Sequence, residues 1–217
     1  MERCFILDKF NTWYDWRLIL TSKKITPPVP KTHYVEINGM SGSLDLSESL
    51  TGEITYKDRT ITATFWTDNG NHKDREKLLK DIRIALHGRK IKIVEPDDPE
   101  HYFYGRVSIE SENNNLSYAE FSIECTCEPW RYSINDTVRE VEATERITSV
   151  VINNNGAKTL YPVISVKGDV TIIYNNVETA LNDGDYKISS IKLPHGVNVI
   201  GVSGSGTVKF TYKEADL

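Results

Sequence analysis

The amino-acid sequence predicts a mainly β protein, with an N-terminal domain of strands and one helix followed by a smaller domain built only of strands. Three observations support this fold class. Segments in which apolar and polar side chains alternate with a period of two recur through the first half. A single segment has the 3.6-residue spacing of a helix. In the second half, short strand-like segments alternate with closely spaced turn signals, as in small β sandwiches.

The clearest strand signal lies at residues 59–67, which are rich in residues that favour strands. One face of this segment carries Ile61, Ala63 and Phe65, and the other carries Thr60, Thr62, Thr64 and Trp66. The first face therefore belongs to the core, and the second is polar enough to contact water. Similar patterns predict strands at residues 3–8, 16–20, 34–38, 89–95, 102–110 and 118–128.

The spacing of apolar residues predicts one helix over residues 72–87. Asn71 is the expected N-cap, and Gly88 stands where a left-handed C-terminal cap belongs. The apolar stripe consists of Leu78, Leu79, Ile82 and Leu86, whereas the residues expected to face water are Lys73, Arg75, Glu76, Lys80 and Arg83.

Residues 96–99, Pro-Asp-Asp-Pro, predict the turn of a hairpin, because proline has no N–H to donate to a strand ladder. The surrounding acids are Glu95, Asp97, Asp98 and Glu100. They could form a catalytic pair, which needs two carboxyls with different pKa values in a cleft. We expect instead an exposed hairpin tip at which water surrounds the acids alike.

The second half of the chain predicts a separate sandwich. Turn signals occur at residues 153–156, 168–169, 175–176, 182–185, 194–196 and 204–206. The predicted organisation is therefore an N-terminal domain over residues 1–132, a protease-sensitive linker over 133–145 and a C-terminal β sandwich over 146–217.

Composition and motifs argue against several classes of function. A net charge of −5 over 217 residues disfavours tight binding of nucleic acid, which needs a concentrated basic surface. No run of about 18 apolar residues predicts a membrane span. Asp8 and Lys9 interrupt the apolar start of the sequence, so we expect no signal peptide and assembly in a cytoplasm.

No pattern typical of a catalytic or metal site is present. The five histidines, His33, His72, His87, His101 and His195, lack HxxxH or HExxH spacing. The three cysteines include no CxxC pair, and the glycine-rich segment 201–206 is not a GxSxG motif. We therefore expect a protein that is not an enzyme and that uses no metal or cofactor.

An ordered set of segments resembles the N-terminal domain of siphophage distal tail proteins. These segments are residues 5–8, 13–20, 27–30 (Pro-Pro-Val-Pro), 35–45, 86–88 (Leu-His-Gly), 96–105 and 125–130 (Cys-Thr-Cys-Glu-Pro-Trp). In the second half, residues 152–156, 161–164 and 193–200 are similar to the small C-terminal sandwich of that family, which has galectin-like topology. The resemblance covers nearly the whole chain.

The resemblance implies a structural protein of the tail tip of a phage or prophage-derived virion, assembled in the host cytoplasm. It implies a homo-hexameric ring that connects the tail tube to the tip or baseplate, with the N-terminal domains around a channel and the sandwiches projecting outward. The implied partners are the tail tube protein, the tape measure protein and the tail-tip or receptor-binding proteins. DNA is expected to pass through the ring without tight binding, and no membrane insertion is expected.

Two sets of residues are candidates for roles in such a ring. The residues expected at the channel wall are Thr60, Thr62 and Thr64, and those expected at a subunit interface are Asp97, Asp98, Tyr102 and Tyr104. A small carbohydrate-binding sandwich module is the alternative function, because aromatic residues could also stack on sugars. A titration with cell-wall glycans separates the two hypotheses, since a ring component gives no saturable signal.

Overall fold

The structure is a computed structural model and describes residues 4–217. It divides into two compact units, of which the first ends at Arg131 and the second covers Tyr132–Asp216. Each unit has its own cluster of buried apolar side chains.

The first unit is built on one antiparallel sheet. Its elements in chain order are β1 (Ile6–Leu7), β2 (Phe10–Asn11), β3 (Ile19–Ile25), β4 (Tyr34–Glu36), β5 (Ser43–Asp45), β6 (Arg59–Thr67), α1 (His72–Leu86), β7 (Lys90–Glu95), β8 (Asp98–Asn114) and β9 (Ala119–Ser133). The sheet has the order β2-β1-β7-β8-β9-β6-β3, and β4 and β5 form a separate hairpin.

The strands predicted for the first domain each overlap an observed strand, although the bounds differ. The strand predicted from residue 3 begins at Ile6, and residue 3 itself lies outside the described residues. The strand predicted over 16–20 is observed further along the chain, as β3 from Ile19 to Ile25. Trp16 and Leu18 precede it and are buried in the connection that leads to it. Strand β6 has the predicted bounds.

The core of the first unit lies between α1 and one face of the sheet. Ile61, Ala63 and Phe65 are at most 1% exposed, which confirms the predicted inward face of β6. The Phe65 ring stacks on Phe121 with centroids 5.4 Å apart. From the helix, the residues that pack into the same cluster are Leu79, Ile82 and Leu86, with Leu78 at its margin.

The predicted start and capping residues of α1 are confirmed, although the helix ends at Leu86, one residue before the predicted end. The Asn71 side chain accepts hydrogen bonds from the N–H groups of Lys73 and Asp74, at 2.9 and 3.2 Å. The Asp74 carboxylate accepts the N–H of Asn71 at 3.1 Å, which completes a capping box. Beyond the helix, Gly88 has a φ of +75°, the left-handed conformation expected after a helix C-terminus.

The prediction that Arg75 faces water is wrong, because only 2% of this residue is exposed. Its guanidinium donates to the carbonyl oxygens of Gly70, Asn115 and Leu116 at 2.6, 2.9 and 2.8 Å. These acceptors compensate for the water that the buried charge loses. Arg75 thereby attaches the start of α1 to the turn between β8 and β9.

The second unit contains only strands. They are β10 (Thr137–Ala143), β11 (Thr148–Asn154), β12 (Val163–Tyr174), β13 (Val177–Leu181), β14 (Gly184–Tyr186), β15 (Gly196–Tyr212) and β16 (Ala215–Asp216). The sheet order is β10-β15-β12-β13, while β11 also pairs with β15 and β14 with β12. The structure differs here from the predicted linker over residues 133–145, because β10 is hydrogen-bonded to β15 along its whole length.

Two long strands run through both halves of this sheet. β12 and β15 pair from Val163↔Thr211 to Ile173↔Gly201. Between these ends, Gly168 lies opposite Gly206, with φ values of +94° and +151°. A Cβ on Gly206 would lie 1.9 Å from the carbonyl oxygen of Lys167, so only glycine fits.

The glycines therefore mark a bend inside continuous strands, and the turns predicted at residues 168–169 and 204–206 are wrong. β10 and β14 pair on one side of the bend, and β11 and β13 pair on the other. Buried residues from both halves form one core, which includes Ile152, Ile164, Ile172, Val202, Val208 and Phe210.

The predicted fold class is confirmed: a mainly β first unit with a single helix in the described chain is followed by an all-β second unit. No helix among residues 4–217 has the length and apolar character needed to cross a membrane.

Replacing Arg75 by methionine tests its structural role. The variant Arg75→Met leaves the carbonyl oxygens of Gly70, Asn115 and Leu116 without this donor, so we expect the free energy of unfolding to fall by about 1–3 kcal/mol. Lys80→Met makes the same exchange at an exposed position of α1 and should change it by less than about 0.5 kcal/mol. Urea unfolding measures both, and equal effects contradict the role assigned to Arg75.

Candidate assembly surface

The face of the first sheet opposite the core is polar and not covered by α1. The candidate channel residues Thr60, Thr62 and Thr64 lie on this face, because they alternate with the fully buried residues of β6. Their side chains are half-buried. The backbone of Thr60 is also bonded to Thr26: its N–H donates to the Thr26 hydroxyl, and its carbonyl oxygen accepts from that hydroxyl and from the Thr26 N–H.

Charges of both signs flank the central threonine, Thr62. Thr62 lies directly between Lys24 on β3 and Glu124 on β9. Thr64 lies between two serines, Ser22 and Ser122, in the same strands. Residues directly opposite one another in an antiparallel pair share a face of the sheet. The threonine rows are therefore part of a mixed polar surface rather than a basic one.

Tyr102 and Tyr104 lie on the same side of the sheet, since Phe103 between them is buried. The Lys92 ammonium lies 4.8 Å from the centre of the Tyr102 ring. Lys90 lies 4.6 Å from the centre of the Tyr104 ring. Both tyrosines are thus already covered in part by lysines of β7, in the geometry of cation–π contacts.

Lys90 also connects this tyrosine layer to the next strand. Its ammonium lies 2.7 Å from the Glu128 carboxylate of β9. The hydrogen bond to Glu128 raises the pKa of Lys90. The outer face therefore carries an internally paired row of lysine, tyrosine and glutamate next to the threonines.

The acidic turn between β7 and β8 is not the uniformly solvated tip that the sequence predicts. Glu95 is only 9% exposed. The Asp98 carboxylate lies 2.9 Å from Arg131 and 2.8 Å from His101 Nδ1. Asp97, at the outermost position of the turn, keeps about half of its side chain exposed.

Lys23 joins this turn to the opposite edge of the sheet. It lies on the core side of β3, because its register partner Ala63 is buried. Its ammonium forms ion pairs with Glu95 and, at 2.6 Å, with Asp97. Burial opposes the charged form of Lys23, but hydrogen bonds and attraction from Asp97 and Glu95 outweigh it and raise the pKa. The curled sheet is thus closed at this point by ion pairs.

A long excursion between β3 and β6, residues 31–55, lacks a core of its own; we call it the arm. Its base is closed by backbone bonds from Lys31 to Thr55 and from Lys57 to Val29, both of 2.8 Å. No residue from 27 to 54 is buried. The large apolar side chains exposed along the arm and its base are Val29, Tyr34, Ile37, Met40, Leu44, Leu50 and Ile54, with exposures of 40–98%.

The sequence alone did not identify the arm or the role of Lys23. The strand predicted at residues 34–38 is observed as β4. The sequence pattern does not indicate that β4 and β5 form a separate sheet of two strands. The position of Lys23 opposite Glu95 depends on a contact across 72 residues. The Pro-Pro-Val-Pro run at residues 27–30 was the available signal for the base of the arm.

The geometry gives little support to a metal site or a catalytic cysteine. Among the described residues, no three His, Cys, Asp or Glu side chains converge as a metal site requires. Burial raises the pKa of Cys127 to about 12 and that of Cys125 still further. Neither thiol is therefore available as a thiolate nucleophile near neutral pH.

Comparison with known proteins identifies relatives of this architecture. Residues 15–127 match the family of phage tail proteins with a RIFT-related domain. The Dit (gp 19.1) protein of phage SPP1, described as a paradigm of the hub adsorption apparatus in phages that infect Gram-positive bacteria, has a similar crystal structure. The TM-score is 0.73 with 15% identity, and the match covers 100% of both chains.

A second solved structure is more distant. It is a chain of the phage p2 baseplate in its activated conformation with Sr, with a TM-score of 0.44 and 8% identity over 99% of this chain and 98% of that one. Among curated proteins, none matches the chain.

The ion pairs of Lys23 can be tested by a double-mutant cycle. Lys23→Met leaves the buried Glu95 carboxylate without its cation, so we expect the free energy of unfolding at pH 7 to fall by about 1–3 kcal/mol. The same change made in a Glu95→Gln background should cost less, because no buried charge is then left unpaired.

The pH dependence follows from the raised pKa of Lys23. The contribution of its charged form is fully present below the ordinary lysine pKa and is lost as the pH rises through the raised value. The difference between the original protein and Lys23→Met should therefore shrink above about pH 10.5. Urea unfolding measures the double-mutant cycle. If the free-energy costs of Lys23→Met and Glu95→Gln are additive, the proposed coupling between Lys23 and Glu95 is contradicted.

Proposed function

The chain belongs to the family of phage tail proteins with a RIFT-related domain, and we propose that it is a distal tail protein that forms a homo-hexameric ring in the virion tail tip. The ring connects the tail tube to the tip or baseplate. Its partners are the tail tube protein, the tape measure protein and the tail-tip or receptor-binding proteins. The role is structural, without catalysis.

The arm is the observation that carries this proposal. Six large apolar side chains of the arm are at least 40% exposed, and the arm has no core of its own. Apolar surface of this extent favours burial against a partner. A second copy of the chain is the partner we assign to it.

Contact through an arm is heterologous, since the arm of one copy meets a different surface of the next. Repeated contacts of this kind produce a closed ring whenever the rotation between neighbours divides a full turn. The resemblance to distal tail proteins supports six copies.

The polar face of the first sheet supports the assignment of the channel wall. Thr60, Thr62 and Thr64 present hydroxyls, and Lys24 and Glu124 lie on either side of Thr62 with opposite charges. Such a wall attracts a passing DNA weakly, because lysine or arginine contacts with phosphate are what hold nucleic acid. We propose that DNA passes this surface without tight binding.

The remaining candidates are proposed to lie at the boundary between subunits. Asp97 and Asp98 have cationic partners within the chain, and lysines cover the rings of Tyr102 and Tyr104. Charged groups paired in advance lose less on burial than unpaired ones. They therefore contribute orientation and specificity to a contact whose affinity comes from the arm.

Substitutions in the arm test the proposal. Leu50 is 98% exposed, so Leu50→Glu leaves the fold of a single copy unaffected but places a charge where a neighbour is proposed to cover the arm. Leu116→Glu is the matched control, at a position 90% exposed in the turn between β8 and β9. Light scattering after size exclusion should give a mass of six copies or a multiple of six for the original protein and Leu116→Glu, and a mass below six copies for Leu50→Glu.

Two results count against the proposal. A mass below six copies for the original protein removes the ring. If Leu50→Glu, and also Ile37→Glu, keeps the mass of the original protein at six copies or a multiple of six, the ring is retained but the arm is not its cause.

A further inference from the structure

Strand β11 is an open edge of the second unit. It pairs with β15 from Thr148↔Val202 to Asn154↔Gly196 without a shift of register. In the described chain, no strand pairs with its other side. The outer row of N–H and C=O groups is therefore available to a further strand.

β11 also lacks the features that usually protect an edge strand. Its sequence, Thr-Ser-Val-Val-Ile-Asn-Asn, contains no charge and no proline. By contrast, Arg139, Glu140 and Glu142 are exposed on β10, which pairs with the other end of β15. Glu178 lies on β13 at the opposite edge. Charges on an edge strand discourage pairing with another chain, so β11 is the edge that permits such pairing.

An exposed apolar patch surrounds the centre of β11. Val151 is 58% exposed and lies directly opposite Val199, which is 55% exposed. Val197 and Ile147, at 72% and 64%, extend the patch at its two ends. A strand added beside β11 would cover part of this patch as well as satisfy the open edge.

The order of polar and apolar residues in β11 indicates which strand would fit. The three central residues are apolar, and two uncharged polar residues stand on each side of them. This polarity pattern reads the same in both directions about Val151. In an antiparallel pair of two copies, Val151 meets Val151, and Ser149 meets Asn153, so that apolar residues meet apolar ones and no like charges are opposed.

We propose that β11 pairs antiparallel with β11 of a second copy of this chain, centred on Val151. The contact extends the sheet as β15-β11-β11-β15 across the two copies and joins their apolar patches. It is isologous, since the same surface serves both partners.

The pairing has a consequence for assembly that rests on the proposed ring. A two-fold contact relates subunits whose rings face in opposite directions. Six equivalent contacts then join two rings into a stack of twelve copies. The pairing of two copies itself does not depend on the ring.

Val151→Lys tests the proposal, because two lysines would then meet at the centre of the contact. Val177→Lys is the matched control: Val177 lies on the other edge strand, β13, and is also 58% exposed. The mass in solution, measured by light scattering, should be twofold lower for Val151→Lys than for the original protein and Val177→Lys. Equal masses for all three proteins overturn the proposal.

The possible masses separate this proposal from the proposed ring. A change from twelve copies to six supports both. A change from two copies to one supports the pairing and removes the ring. Six copies for the original protein and for Val151→Lys remove the pairing and retain the ring.

Amide hydrogen exchange gives a second readout. The β11 amides that do not bond to β15 should be protected in the original protein and should exchange faster in Val151→Lys. Exchange of these amides at the rate of an open edge in the original protein overturns the proposal. Protection that appears only after another tail protein is added also overturns it.

Discussion

The contact of Lys23 with Glu95 and Asp97 is the interaction on which the first unit depends most. β3 is an edge strand that buries little of itself: no side chain in it is fully buried, and Ile19 is 38% exposed. The position of β3 is therefore determined by its hydrogen bonds to β6 and by the ion pairs that Lys23 forms with Glu95 and Asp97 at the turn between β7 and β8. The arm leaves the sheet directly after β3 and returns just before β6. An electrostatic contact inside one subunit thus determines where the proposed contact between subunits begins.

The second unit solves a related problem with backbone geometry. Two long strands, β12 and β15, pass through both halves of the sheet, and the facing pair Gly168 and Gly206 allows them to bend where a side chain would meet backbone. The bend lets apolar residues of both halves pack into one core. It also divides one side of β15 between two short strands, of which β10 is charged and β11 is not. The permissive edge is therefore a product of the same bend that builds the core.

The parts of the fold that local sequence determines could be predicted, and the parts that distant contacts determine could not. The bounds of β6 and α1 follow from alternation, from the Asn71 cap and from Gly88, all of which act within a few residues. Arg75 was misplaced because its acceptors at residues 115 and 116 lie far along the chain. Gly168 and Gly206 resembled turn signals, since a glycine that bends a strand and one that ends it look alike in sequence. In the candidate assembly surface, the polar face that carries the threonines could be predicted from the alternation in β6. The arm could not be predicted, because its residues are exposed only for want of other parts of the chain packed against them.

The central claim is that the arm of one copy is covered by its neighbour in a ring whose inner wall carries the threonine face of β6. The most direct test is an electron cryomicroscopy map of the purified assembly. The account predicts six-fold symmetry, with Ile37 and Leu50 buried against the next subunit and Thr62 facing the central channel. A ring in which the arm stays exposed to solvent, or whose channel wall is formed mainly by lysine and arginine, would contradict it.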